Sequence, residues 1–504
     1  MTSTVRSSTV SDVLRRSATR VPARVALRFA DREWTYAGLD AAVSRAAAHL
    51  LALGLEKGDR VAAYGKNSDA YLIGFLACAR AGLVHVPVNF NLAGPELAYL
   101  LEQSGSSLVL ADPLLREDLD DLEAPPQRVL PLRDEDGSLL AAASEGEVPV
   151  LDVEVADDDL VQLLYTSGTT SRPKGAMMTH RALLHEYLSC VVNLDLTEND
   201  QPLHVMPLYH SAQLHVFLLP WLMVGATNTL LEVPDPSDIM FRISHDGHRA
   251  FFAAPTLWVA IVNNPEFGLR DLSSLRKAYY GASIMPGPVL DRLREEMPEL
   301  GFYNCFGQSE IGPLATVLRP EEHAERPDSA GRAALFVELR VVDSEDNDVA
   351  AGELGEVVYR SPQLCLGYWD KPDETDEAFS GGWFHSGDLV RIDEQGYVFV
   401  VDRIKDVINT GGVMVASREV EDALYTHSAV GEVAVVGLPD EKWIEAITAV
   451  VVRREDVTAD ELLSHVKGEL SGFKVPKTVH FVDDLPRNAS GKILKRELRD
   501  RFTN

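Results

Sequence analysis

Between Tyr165 and His180 the chain reads YTSGTTSRPKGAMMTH. Every residue from Thr166 to Ser171 is Thr, Ser or Gly, and Lys174 follows. Side chains this small and polar do not build a core. Gly168 and Gly175 let the backbone turn in ways other residues resist. Successive N–H groups and hydroxyls can then surround phosphate oxygens, and Lys174 adds a point charge. The string is not a Walker A loop, because Pro173 stands where the second Gly would be. By composition alone a polar surface loop is the better reading. The ordered string, a strand and then TSGTT-x-x-PKG, is what singles it out.

Other stretches carry groups able to do chemistry. MPLYHSAQ (206–213) holds His210, and NCFGQSE (304–310) holds Glu310. YYGASIMP (279–286) is small and turn-like, and WFHSGDLV (383–390) holds Asp388. VVDRIKDVINTGG (400–412) joins Asp402, Arg403, Gly411 and Gly412, and PRNASGKILKREL (486–498) holds Lys492. Each has a plainer reading. His210 suits a satisfied core histidine, Glu310 a surface carboxylate, Asp402 a helix N-cap and Lys492 an exposed lysine in a basic tail. His204, His210 and His215 do not follow a zinc-site spacing.

Taken in order, these stretches resemble the adenylate-forming superfamily: acyl-CoA synthetases, luciferases and the adenylation domains of peptide synthetases. The resemblance covers nearly the whole chain. It departs from the usual pattern at Ser171, where Gly is common, at Phe306, where Tyr is frequent, and at Ser309 and Ser386, where Thr is common. It implies ATP and Mg²⁺ as requirements and coenzyme A as co-substrate. Thr166, Ser167, Gly168, Thr169, Thr170 and Lys174 would grip the pyrophosphate end of ATP. Gly281, Ala282 and Ser283 would wall the adenine slot, with Asn304, Cys305, Phe306, Gly307 and Gln308 on the facing strand. Phe306 would stack on the base and Asn304 would recognise its exocyclic amine. Ser309 would reach the α-phosphate, and Glu310 would hold Mg²⁺ through oxygen. Asp388 would accept hydrogen bonds from both ribose hydroxyls, and Arg403 would bind ribose or phosphate. Asp402 would be a hinge, Gly411 and Gly412 a thiol-facing loop, and Lys492 the adenylation lysine. The catalytic set is then Lys492, Glu310, His210, Thr166 and Ser309. The acyl pocket would draw on His210, Gln213, Tyr280, Gly281, Ile311 and Leu314.

Something must position these groups. The chain has 504 residues, 46% of them hydrophobic and 25% charged, which suits a soluble protein of two or more domains. Helical and strand-like stretches alternate through the first three hundred or so positions, as in LDAAVSRAAAHLLALGLEKGDRVAAYG and AYLIGFLACARAGLVHVPVN. That alternation predicts parallel sheet with helices on its faces. Thr179 looks like the N-cap of a helix through RALLHEYLSCVV. From about Pro320 the pattern turns β-rich, with two strands around the acidic turn of VELRVVDSEDNDVAAGELGEVVYRS and another in GYVFVVD. After Asp402 the chain has its own helix and strand signals. The expected fold class is α/β: a large N-terminal domain of α/β layers plus a smaller β-rich subdomain (1–402), and a small mobile α+β C-terminal domain (403–504).

The net charge of -30 argues against nucleic-acid binding and against docking on anionic lipid. The exception is the tail after Pro486, rich in Lys and Arg. Four well-separated cysteines, Cys78, Cys190, Cys305 and Cys365, read as reduced thiols. The longest apolar run, Val216 to Ala226, is too short to span a bilayer. A cytoplasmic enzyme is the default.

The resemblance implies a two-step reaction. A lipophilic carboxylic acid attacks ATP to give an acyl-adenylate and pyrophosphate, and the thiol of CoA then displaces AMP. The GGVMVASREVEDAL stretch looks most like fatty acyl-CoA synthetases, while a bulky cyclic or aromatic acid of secondary metabolism stays open. So do a carrier-protein phosphopantetheine as acceptor, a luciferase-like oxygenase, a non-catalytic nucleotide sensor and a homodimer.

Overall fold

The computed structural model describes residues 8–166, 172–281, 285, 287–440, 442–487 and 493–503. Ser167, Gly168, Thr169, Thr170, Ala282, Ser283 and Lys492 lie outside the described residues. The chain falls into two compact units. One takes almost all of the chain up to Glu338, together with Arg360–Phe384; the other takes Leu339–Tyr359 and the chain from His385 onward.

The first unit holds two sheets. In the six-stranded sheet the order is Val129–Pro131, Leu108–Ala111, Arg60–Tyr64, Val84–Val88, Leu160–Thr166, Lys174–Thr179. All neighbours but the last pair run parallel. Val84–Val88 and Leu108–Ala111 are buried at every position, as expected where helices cover both faces of a parallel sheet. The helix Asp69–Ala81 shows how local signals place such a cover. Ser68 accepts the Tyr71 N–H at its start, and Gly82, at φ 70°, ends it. Thr179 caps His180–Asn193 as expected, accepting from Ala182 N. These helices share one core with Tyr36–Ala52 and Val10–Arg20, through Leu14, Val43, Phe75 and Leu183.

In the nine-stranded sheet the order is Arg332–Ala333, Thr316–Leu318, Gly301–Phe306, Lys277–Gly281, Ala250–Phe252, Pro202–His204, Asn228–Leu230, Val25–Phe29, Arg32–Thr35. Its middle is parallel and its edges antiparallel. The long apolar run becomes a π-helical segment, Ala212–Leu218, and the helix Leu219–Val224. Phe217, Leu218 and Leu222 are fully buried there. Among the described residues no helix is long and apolar enough to cross a membrane.

The second unit holds a four-stranded sheet, Glu338–Val342, Leu354–Arg360, Phe384–Ile392 and Val398–Arg403. The acidic turn forms as expected, with Asp343 Oδ1 accepting from Glu345 N and Asn347 N. A further sheet is built on the hairpin Val430–Asp440 and Ile444–Arg453, with Thr478–Val482 alongside in parallel. Three cations of the basic tail are paired within this unit. Arg487 pairs with Glu432, Lys495 with Glu421 and Arg499 with Asp406, at 2.7 to 2.8 Å.

One buried acid in the first unit has a measurable consequence. Glu186 lies on the helix His180–Asn193 with no exposed surface. Burial pushes its carboxyl up to about 8, against the lowering pull of Leu314 N–H and the Cys190 thiol. The folded state therefore holds a proton that the unfolded chain releases near 4.5. This contribution to stability is complete below the unfolded value and is lost as pH rises through about 8. Thermal unfolding of Glu186→Gln should lose that part of the decline between pH 6 and 8.5, so the variant gains on the native protein as pH rises.

Candidate functional site

The expected residues divide between the two units, and each group is coherent by itself. In the first unit Thr166 and Lys174 are direct partners across the antiparallel pair Leu160–Thr166 and Lys174–Thr179. Ser167–Ser171, outside the described residues, lie between them in sequence. Gly281 and Cys305 are partners in the parallel pair one sheet away. Gly281 must be glycine there, since a Cβ would lie 2.2 Å from the Cys305 carbonyl oxygen. At Gly307, with φ 152°, a Cβ would lie 2.0 Å from the Pro313 carbonyl oxygen. Asn304 donates its Nδ2 to Ser329 O at 3.0 Å. That leaves Oδ1 as the acceptor an exocyclic amine needs. Phe306 is half-buried at the end of its strand.

Two irregular loops follow these strands. The first, 205–211, carries His210. Its backbone is held by side chains: Asn67 Nδ2 donates to Met206 O at 3.0 Å and Leu231 O at 3.1 Å, and Asn67 Oδ1 accepts from Leu208 N at 2.8 Å. Gln213 Oε1 accepts from Met206 N at 3.0 Å, and its amide donates to His204 Nδ1 at 2.8 Å. Ala212 N donates to His210 Nδ1 at 3.3 Å, so the neutral imidazole carries its proton on Nε2. Burial depresses its pKa to about 4, which keeps it neutral near pH 7.

The second loop, 307–314, carries Ser309 and Glu310. Ser309 Oγ meets Ser211 Oγ at 2.9 Å, joining the two loops. Glu310 is buried, and its Oε1 accepts from Tyr368 Oη at 3.0 Å. Gln308 Nε2 is buried without a partner among the described residues. A buried amide donor left unmatched costs about 1–3 kcal/mol, so this one suits a ligand acceptor. The hard carboxylate of Glu310 beside the lysine-bearing strand suits a magnesium nucleotide. Among the described residues no group of three or more His, Cys, Asp or Glu forms a metal-only site.

The acyl-pocket candidates are packed closely. Ile311 and Leu314 are buried, and Leu314 N is taken by Glu186 Oε1. Tyr280 Oη donates to His323 Nε2 at 3.0 Å, because His323 Nδ1 is spent on Arg319 O. The Gln213 amide is committed as described. His210 is the candidate that keeps partial exposure. Burial and Glu186 push the Cys305 thiol up.

Sequence reading missed the segment QLCLGYW (363–369). It stitches the strand Lys174–Thr179 to the Glu310 loop. Met177 pairs with Leu366 and Gly367, and Trp369 N donates to Gly175 O at 2.8 Å. Cys365 N donates to Glu310 O at 2.8 Å. The Gln363 amide reaches Glu186 Oε2, Ile311 O and Leu314 O, at 2.5 to 3.2 Å. An aromatic pair after Gly in a short apolar run was the available signal, but it looks like any strand.

In the second unit Arg403 Nε pairs with Asp388 Oδ1 at 2.7 Å, and Arg403 Nη1 donates to Ser386 O. The two expected ribose contacts are thus neighbours. Asp402 Oδ2 accepts from Ser417 N and Ser417 Oγ, both at 2.7 Å. Ala416 precedes the helix Ser417–Tyr425 and has no capping side chain. Asp402 supplies the missing acceptor from fifteen residues away, a capping role delivered across the fold. Gly411 and Gly412 take φ 66° and 85° in the turn between Ile408–Thr410 and Val413–Val415.

Gly281→Ala should cost about 1–3 kcal/mol through the forced strand separation, lowering the unfolding midpoint and weakening nucleotide binding together. Calorimetric titration with ATP beside thermal denaturation checks both.

Comparison with known proteins accords with this arrangement. A family described as "AMP-binding enzyme" matches residues 14–369, and "AMP-binding enzyme C-terminal domain" matches residues 419–492. A feruloyl-CoA synthase of Amycolatopsis sp is 39% identical over 97% of this chain and 98% of its own length. A long-chain-fatty-acid–CoA ligase of Mycobacterium tuberculosis is 33% identical over 94% of each. The crystal structure of ATP-bound MatB from Rhodopseudomonas palustris superposes with a TM-score of 0.88 at 30% identity, over 98% of this chain and 99% of that one.

Proposed function

The chain belongs to the AMP-binding enzyme family and is an AMP-forming acid–thiol ligase of its CoA-ligase branch, and we propose that its acid is a lipophilic aryl acid of the feruloyl kind. The observation that carries this choice is the 39% identity to a feruloyl-CoA synthase against 33% to a fatty-acid ligase, each nearly end to end. The neutral His210 and the lack of charge on the other pocket candidates support a substrate without a charged tail. A cytoplasmic location is part of the proposal.

The chemistry follows from the residues that the motifs assign. The acid's carboxylate attacks the α-phosphorus of ATP, and pyrophosphate leaves. Charge develops on the α-phosphate and on the leaving group, so cations and donors aimed there lower the barrier. Lys174 and Thr166 serve the pyrophosphate, Ser309 the α-phosphate, and Lys492 the bond that forms. Glu310 holds Mg²⁺, which when bound neutralises the phosphates. Asn304 and Phe306 receive the adenine, and Asp388 and Arg403 the ribose. His210 stays uncharged beside the acid and offers Nε2–H as a donor. In the second step the thiol of CoA attacks the mixed anhydride and AMP leaves.

Residues 403–504 turn about Asp402 between the steps. Such a turn would withdraw Lys492 and bring Gly411 and Gly412 forward. Its logic is that step one must exclude water while step two must admit a thiol.

The test is pyrophosphate release with ATP and Mg²⁺ across aryl, fatty, polycyclic and amino acids, with and without CoA. Release that depends on aryl acids and speeds up with CoA is expected. Preference for long-chain acids would reject the aryl choice, and indifference to CoA would point to a carrier-protein thiol. Lys492→Ala should abolish most acid-dependent release yet spare thioester formation from supplied acyl-adenylate. Gly412→Leu should do the reverse. Equal loss in both steps for either variant would reject the turn.

A further inference from the structure

The lysine-bearing strand and the Glu310 loop come from different parts of the fold, yet one side chain touches both. Tyr368 is buried, with 6% of its surface exposed. Its Oη donates to Glu310 Oε1 at 3.0 Å. The Lys174 ammonium sits 4.3 Å from the centre of its ring, within cation–π range. The backbone holds the ring still. Tyr368 bridges to Ala176, its N–H donates to Thr375 Oγ1 at 2.9 Å, and its chain neighbours pair with Met177 and Gly175.

We propose that Tyr368 is a positioning residue that sets the distance between Lys174 and Glu310. The ring face fixes the cation for the triphosphate, and the hydroxyl fixes the carboxylate for the metal on that triphosphate. This rests on the reading of the site as a magnesium–ATP site. A carboxylate aimed by one hydrogen bond loses its direction when that bond goes, while a cation resting on a ring keeps its place. Two substitutions therefore separate the functions. Tyr368→Phe removes the hydroxyl alone, and Tyr368→Leu removes the ring as well.

The experiment is thermal unfolding with ATP and no carboxylic acid, titrated with Mg²⁺ and repeated in EDTA. In the native protein ATP should raise the midpoint, and Mg²⁺ should raise it further. For Tyr368→Phe, the Mg²⁺ concentration for half the added shift should rise about tenfold, the worth of a hydrogen bond to a charged group. Its shift with ATP in EDTA should stay native. Tyr368→Leu should weaken the EDTA shift too. Combined with Glu310→Gln, Tyr368→Phe should add little, because it acts through that carboxylate. A native Mg²⁺ midpoint in Tyr368→Phe, or full additivity with Glu310→Gln, overturns the positioning role. A native protein whose ATP shift ignores Mg²⁺ overturns instead the reading of the site on which it rests.

Discussion

Irregular backbone inside a protein must find hydrogen-bond partners there, because an orphaned N–H or C=O costs as much as a lost bond. The loops that carry His210 and Glu310 are irregular and largely buried, and neither belongs to a sheet or a long helix. Side chains meet the demand. Asn67 and Gln213 serve the first loop, and Gln363 with Glu186 serves the second. The placement of the reactive groups follows from these amides and one acid. The loops are rigid because their backbone bonds are made by residues that are themselves locked in the core.

The same economy shapes the charges of the first unit. Buried histidines are held neutral and used as polar struts. Tyr187 donates to His215 Nδ1, His215 Nε2–H to Gln162, and the Gln162 amide to His85 Nδ1. Burial lowers His85 and His215 to about 3, the latter also through His85. Charging either would break the chain and strand a cation without water. Gln162 lies on the strand that ends at Thr166, and His215 on the π-helical segment after His210. One neutral relay thus ties the strand that ends at Thr166 to the segment that follows His210.

In the second unit the logic is ionic. Arg403 rests on Asp388, and Asp402 caps a helix that has no cap of its own. Lys495 bonds Ser417 Oγ and Glu421, so three polar groups meet at that helix start. Asp402 supplies the capping acceptor from the end of the strand Val398–Arg403.

Much of this was legible beforehand. The alternation of Leu-rich helices and Val-rich strands gave the parallel sheets, because periodicity is local and each segment carries its own pattern. Thr179 announced its helix, and the acidic turn its hairpin. The order of short motifs pointed to the family, and Gly281 and Gly307 sit where only a missing side chain permits the backbone approach. Other features needed the fold. Nothing local in QLCLGYW says that Tyr368 will reach Glu310, fifty-eight positions earlier, or that Gln363 will meet Glu186. The basic tail looked like an open patch until its cations found Glu432, Glu421 and Asp406. Nothing local said that the Gln213 amide would be spent on His204 and Met206. Local sequence determines what each segment becomes, through steric and periodic rules that act over a few residues. Which buried polar group answers which is decided by long-range packing, and that pairing places the chemistry.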